Sequence, residues 1–299
     1  VEDWQLILVA NGLALSQELQ DFARSLSGDV EILNLPHKEL PGKARNLALE
    51  KVRHEWIFFI DDDAYLLPRY FEIVQPLLEN EKIEVLGGPD APAKSMDRFS
   101  EALALTLSSP FCTGSTYARH RPKGSDLQPA SEEILTSCNL WLRRRLIEEV
   151  KFPETYLRTE ETSLLLELKR RGARMFYHPK MSVGHHRRKT FSSLLRPTFY
   201  AGFYRSQVMR DQRLGVGKFW LPMIFVLLHL SLFFHPVLFL LLARIYLGII
   251  VMMSLNLASR RRKLSLFLEI TLLHYFIVFI YGVGFLVHRL GWHGSNRRA

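Results

Sequence analysis

Residues 58–66 read FFIDDDAYL, so three consecutive carboxylates, Asp61, Asp62 and Asp63, stand directly behind an aromatic and aliphatic run. Like charges in contact raise each other's pKa and oppose folding, and a basic chain that ends a buried strand this way needs something to offset them. Hard divalent cations such as Mg2+ or Mn2+ prefer oxygen ligands and bind through one or two carboxylates plus substrate phosphates. Such an ion would cancel the repulsion and carry a diphosphate with it. Acidic residues after a strand also serve in turns and helix caps. A second acidic pair, Glu160-Glu161, opens a stretch in which Leu164, Leu165 and Leu168 recur at helical spacing, Thr159 can cap the start and Gly172 the end. Two acids in a first turn also complement the helix dipole.

The elements that must position these groups are legible as alternating patterns. WQLILVA (4–10), VEILNL (30–35) and WIFFI (56–60) read as buried strands, and residues 16–25, 44–52 and 68–78 as helices. That alternation predicts an α/β layer with a largely parallel sheet, in which ligands collect at the carboxyl ends of the strands, where the Asp triplet emerges. HKELPGKA (37–44) resembles a phosphate loop only in Gly42-Lys43: His37 replaces the first glycine and Ala44 the required Ser or Thr. With no Gly-x-Gly-x-x-Gly either, Walker and nicotinamide sites are excluded. Cys112 and Cys138 are isolated and read as reduced core thiols.

The chain's 299 residues carry a formal charge of +9, and its apolar residues gather in the last third. Residues 1–213 read as a soluble domain and 214–299 as a membrane region with two to three transmembrane helices at about 218–234, 237–257 and 265–287, divided at His235-Pro236. The basic run Ser259–Lys263 falls in the cytoplasm by the positive-inside rule, with the front domain on the same side. This predicts a multi-pass protein of the inner (cytoplasmic) membrane. Arg289, Arg297 and Arg298 would then fall outside, and Glu269 and His274 sit within the third segment, so that segment can instead lie partly in the interface. No amino-terminal signal segment is visible. Between the two parts, Arg187 to Lys218 interleaves Lys189, Arg196, Arg205, Arg210 and Arg213 with Phe199, Tyr200, Phe203 and Tyr204. This reads as an interfacial helix on anionic membrane lipid rather than as a nucleic-acid surface.

The ordered set GKARNLALEKVRHEWIFFIDDDAYLLPRYFE (42–72), GGP (87–89), SCNLWLRR (137–144), TEETSLLLELKRRGARMFYHP (159–179) and VGHHRR (183–188) resembles the successive motifs of family 2 glycosyltransferases. The resemblance covers roughly residues 5–205 and implies a GT-A fold, a Rossmann-like α/β nucleotide-sugar-binding domain ahead of the C-terminal helices. It makes Asp61 and Asp63 the outer members of a DxD motif, with Asp63 on the metal (Mn2+ or Mg2+), Asp61 reaching the ribose or metal, and Asp62 supporting the loop. Arg45 and Asn46 match a segment near the nucleotide. Glu160-Glu161 matches the catalytic acidic pair, with Glu161 at the base position. His185, ahead of His186, approaches the metal or diphosphate, Arg187 and Arg188 suit phosphate oxygens, and Asn139 falls either in the acceptor-side segment or in an ordinary turn.

The implied reaction is a single displacement with inversion, from a UDP-, GDP- or dTDP-linked sugar to a lipid-linked or glycan acceptor in cell-envelope or exopolysaccharide synthesis. The absence of a Q-x-x-R-W motif points to one sugar per encounter. Two departures stand out. LILVANG (6–12) aligns with a strand that normally ends in acids reading the base, so Asn11 takes that place, and the family's first strand has no counterpart. A non-catalytic nucleotide- or glycan-binding scaffold is the alternative those departures favour. A nucleotidyltransferase would need a glycine- and lysine-rich triphosphate loop, which is not seen.

Overall fold

The computed structural model describes residues 4–26, 28–215 and 217–291. The strands β1 (Gln5–Asn11) and β2 (Asp29–Leu35) pair in parallel across α1 (Gln17–Ser25). Ser16 begins that helix by accepting the Leu19 N–H on its hydroxyl. The next helix, α2 (Pro41–Leu49), starts ahead of the predicted Ala44 because Pro41 occupies the first turn, where its missing N–H goes unused. Then β3 (Trp56–Phe59) runs into the Asp triplet, β4 (Ala64–Leu66) leaves it, and α3 (Tyr70–Leu78) follows.

The main sheet combines β3 with β5 (Val85–Gly87), β7 (Gln128–Pro129), β8 (Leu140–Arg143) and β9 (Met175–Tyr177), in the order β3-β8-β5-β9-β7. Only β5 and β9 are parallel; β8 runs antiparallel to both β3 and β5. The sheet is therefore mixed rather than largely parallel, because β8, from far along the chain, inserts between β3 and β5. Alternating side chains cover both faces. Leu140 and Leu142 pack with Leu164, Leu165 and Leu168 of α7 (Glu160–Arg170), beside α6 (Arg144–Glu149), while Trp141 packs with Tyr70 and Val74 of α3.

A small second sheet sets the functional geometry. In it β10 (Val183–His185) lies antiparallel to β4 and parallel to β6 (Asp90–Pro92), which puts His185 opposite both Ala64 and Pro92. Beyond β6 come α4 (Arg98–Leu107) and the single turn α5 (Pro110–Thr113).

The C-terminal part is helical: α8 (Phe191–Asp211), α9 (Trp220–Leu230), α10 (Pro236–Arg260) and α11 (Phe267–Arg289). By length and composition, Pro236–Arg260 and Leu264–Arg289 are long and apolar enough to cross a membrane. The expected first span, 218–234, is not: its apolar helical stretch is only Trp220–Phe233, short of the roughly 20 residues a bilayer core takes. The division at His235-Pro236 holds, since Pro236 opens α10. The basic turn after α10 sits beside the front domain, where Lys263 pairs with Glu101 at 2.8 Å and Arg98 pairs with Glu269. Arg297 and Arg298 lie outside the described residues.

Packing between α8 and α11 depends on two glycines. A methyl group on Gly284 would meet the Phe199 carbonyl, and one on Gly202 that of Tyr281. A backbone carbonyl in a packed helix cannot retreat, so Gly284→Val should cost at least the roughly 1–3 kcal/mol typical of overpacking. Gly248→Ala, which has open space around it, should leave the thermal midpoint in detergent within error of the wild type.

Candidate metal and nucleotide-sugar site

The Asp triplet occupies the turn from β3 into β4, closed by a hydrogen bond from Ala64 N–H to the Asp61 carbonyl at 3.1 Å. Through the small sheet, β10 brings His185 against it: Nε2 lies 3.0 Å from Asp63 Oδ1, and Nδ1 lies 3.2 Å from Asp90 Oδ2. His186, the neighbouring candidate, contributes its backbone N–H to the Asp63 carbonyl while its ring rests beside Tyr65. Burial works to neutralise the His185 imidazole, yet its bonds to Asp63 and Asp90 outweigh this and push its pKa up to about 9. The same His185 bond, against partial burial, holds the Asp63 carboxyl below its usual value.

Asp90 is 4% exposed and gathers most of the local charge. Arg187 donates to both its carboxylate oxygens and to its carbonyl, at 2.8–3.2 Å, and His120 Nδ1 lies 2.8 Å away. Burial alone would raise the Asp90 pKa; His120 and Arg187 first, then His185, hold it well below the carboxylate range. Arg187 is thus not on hand for phosphate, as the sequence motif led one to expect, because its guanidinium is buried on Asp90. Its neighbour Arg188 is exposed, with Arg158 and Asp63 close enough to act on its charge.

Asp61 is the meeting point of the two acidic motifs. Burial raises its pKa; Asp63 and Glu161 push the same way, against Arg45 and His185. Arg45, on α2, lies 3.9 Å from Asp61, pairs closely with Glu160 and donates to the Ser137 hydroxyl at 3.1 Å. Glu160 and Glu161 open α7, both buried. Burial and the Glu161 charge push Glu160 up to about 7, against Arg45. For Glu161, burial is overcome by Arg119, then Arg45 and Arg205, so its pKa is lowered. The Arg119 guanidinium reaches Glu161 at 3.2 Å and is itself held by the Glu132 and Glu133 carbonyls. Thr159 does not cap α7. Its φ is 66°, its hydroxyl donates to the Arg158 carbonyl, and the two glutamates accept from their own backbone N–H groups instead.

The three asparagines have other duties. Asn139 is 0% exposed and, rather than facing an acceptor, accepts from the Tyr70 hydroxyl and donates to the Met181 carbonyl at 2.6 Å. Asn46 is buried and ties α2 to the segment before α7, exchanging bonds with the Phe152 backbone and donating to Glu154. Asn11 exchanges both its amide bonds with the Glu39 backbone, joining the end of β1 to the start of α2. Asp90, Arg119, His120 and Arg158 carry no sequence signal of their own; the only trace is that Asp90 directly follows Gly87-Gly88-Pro89.

The donors fit a hard divalent ion. Ligand atoms of Asp61, Cys138 and His185 lie within 4.8 Å of one another, and Asp63 Oδ1 lies 3.0 Å from Nε2 of the same imidazole. Burial drives the Cys138 pKa far up, which keeps its thiol protonated and leaves carboxylate oxygens and imidazole as the ligand set.

The family model for Glycosyl transferase family 2 matches residues 1–151. The chain belongs to glycosyl transferase family 2. The pre-mycofactocin glycosyltransferase of Mycobacterium tuberculosis is 26% identical over 208 residues, 66% of this chain, and the match spans only 41% of that relative's length. Among solved structures, the mannosyltransferase PcManGT from Pyrobaculum calidifontis, in complex with GDP-Man and Mn2+, aligns with 94% of this chain and 77% of its own, at a TM-score of 0.54 and 14% identity. That likeness is one of fold, and the fold is GT-A. Glucosyl-3-phosphoglycerate synthase from M. tuberculosis aligns over 70% of this chain and 69% of its own, at a TM-score of 0.44 and 17% identity.

Asp90→Ala in this family 2 protein would leave the Arg187 charge buried without its partner, at an expected cost of about 3–5 kcal/mol, read in a urea titration. A carboxylate with a depressed folded pKa contributes its stability above its unfolded value of about 3.9 and loses it as pH falls through the lower folded value. Wild-type stability should therefore fall more steeply than that of Asp90→Asn as the pH is lowered below about 4.

Proposed function

We propose that the protein is an inverting glycosyltransferase that moves one sugar per encounter from a nucleoside-diphosphate sugar to an acceptor hydroxyl. The observation that carries this reading is the placement of Asp61 and Asp63 beside His185 with the Glu161 carboxylate close enough to act on Asp61. A donor-side cluster and a candidate base then stand close to one another. The metal-binding groups would be Asp63, Asp61 and His185, and imidazole in the set favours Mn2+ over Mg2+. The bound ion would supply a Lewis acid that neutralises charge on the departing diphosphate. The similar mannosyltransferase, whose structure is in complex with GDP-Man and Mn2+, supports that assignment.

The chain's own residues do the rest. Arg158 and Arg188 present two guanidinium groups on the Asp63 side, suited to diphosphate oxygens. Arg45 links Asp61 to Glu160 and fixes the spacing between donor and acceptor halves. Arg119 keeps Glu161 ionised, the form a base requires. As the acceptor oxygen bonds to the anomeric carbon and the bond from that carbon to the diphosphate breaks, the hydroxyl proton passes to Glu161 in the same step. The nucleotide of the donor is UDP, GDP or dTDP. Residues 1–213 form the catalytic part and 214–299 the membrane-associated part, on the cytoplasmic side, which suits a lipid-linked acceptor arriving in the plane of the membrane. Against a scaffold that has lost catalysis stands the retention of Asp61, Asp63 and Glu161 together.

Two variants test the division of roles. Glu161→Gln should lower kcat about 10²–10⁴-fold, the range of a general base, while keeping the thermal stabilisation given by nucleotide and Mn2+. Asp63→Ala should lose that metal-dependent stabilisation with UDP, GDP and dTDP alike, since a ligand raises stability only through the folded state it binds. Glu161→Gln turning over at the wild-type rate would transfer the base role to Glu160.

A further inference from the structure

The helical layer has an orientation that its composition does not reveal. The start of α11 is fixed to the catalytic part: Glu269 pairs with Arg98, which also donates to the Ser265 carbonyl, and Ile270 and Leu273 pack on Ala102 and Leu103 of α4. Near its other end, Val287 packs against a cluster in which Phe203, Tyr204 and Val208 of α8 join Tyr156 and Leu166 of the catalytic part. Between those ends α11 runs beside α8, with Phe191 against Phe276 at 5.0 Å and Ser206 bonded to His288 at 2.8 Å. From Glu269 to Val287 the helix is about 27 Å long at 1.5 Å per residue, nearly the depth of a bilayer core. A helix with both ends seated on the same domain cannot carry one of them across a membrane.

The remaining helices give no return route. α9 lies on α11 at both of its ends: a methyl group on Gly282 would meet the Pro222 carbonyl, and His229 Nε2 is 2.6 Å from the Tyr275 hydroxyl. Its whole apolar stretch, Trp220–Phe233, is about 21 Å long, too short to cross. α10 starts from that stretch and ends at the turn held by α4. It also exposes Arg244, about a third of the way along its 25 residues, a costly group within a bilayer core. In a helix lying flat, the same side chain reaches the headgroups.

We propose that α8 to α11 seat the protein in one leaflet of an anionic bilayer, with α11 lying in the membrane plane instead of spanning it. Lipid is the occupant because the outer face, which includes Phe233, Phe234 and Val237 at 77–79% exposure, continues over most of α10 and exceeds what soluble monomers leave uncovered. The rim beside it carries Arg260, Arg261, Arg262 and Lys263, which suit acidic headgroups. This inference does not depend on the transfer reaction.

The test uses the full chain in sealed membrane vesicles with the catalytic part outward, comparing Lys82→Cys with Leu290→Cys. Both sites are exposed, the second just past the end of α11. An impermeant maleimide should label both from outside to the same extent. Leu290→Cys reacting only after the vesicles are opened would overturn the proposal. In a second arm, the purified protein is mixed with preformed phosphatidylglycerol vesicles and floated on a density gradient. Flotation is expected, and a detergent-free dimer that stays behind would overturn the proposal by showing that a second copy covers the face.

Discussion

A single buried carboxylate organises the candidate metal site of this protein. Asp90 is withdrawn from water and would be untenable as an ion without its partners. Arg187 and His185, two residues apart beside β10, and His120 from a separate segment converge on it. Because the Asp90 carboxylate takes one nitrogen of His185, the other is turned toward Asp63, and the ring is fixed in position. A carboxylate behind a candidate metal-binding histidine is a common way of orienting such a ligand. Here it also ties β6, β10 and β4 together, so the small sheet and the site depend on the same contact.

Around the two glutamates of α7 the logic is alternation of sign. Asp61, Arg45, Glu160, Glu161 and Arg119 form a chain of opposite charges broken only where the two glutamates adjoin. At that break burial and mutual repulsion fall unequally. Arg119 secures the charge on Glu161, and Glu160, left with Arg45 alone, moves toward neutrality. Two adjacent residues of one type thereby acquire different protonation behaviour, and the roles proposed for them follow from that asymmetry.

How much of this was legible depends on whether the signal was local. The strands ending at Asn11, Leu35 and Phe59 and the helix carrying Leu164, Leu165 and Leu168 showed through their periodicity, and the Asp triplet through its cost. The direction of β8 did not show, because strand order is a long-range property. Arg187 and Asn139 sit in motifs that look functional, yet burial commits them to support; sequence shows residue type but not exposure. Asp90 and Arg119 act with partners far along the chain and leave no local pattern. The helix α11 passes for a membrane span for a related reason. A helix enclosed between a catalytic part and an outer apolar layer has the same composition as one surrounded by lipid.

The proposed function requires that Asp61, Asp63 and His185 form a divalent-ion site. The most direct measurement is a titration of Mn2+ followed by electron paramagnetic resonance, with UDP, GDP and dTDP in turn, on the wild type and on His185→Ala shown to be folded by its thermal midpoint. The wild type is expected to quench the free Mn2+ signal with one of the nucleotides, and His185→Ala to do so at least about tenfold more weakly, the low end of the loss seen when even the support of a metal ligand is removed. Equal Mn2+ binding by the two proteins would contradict it.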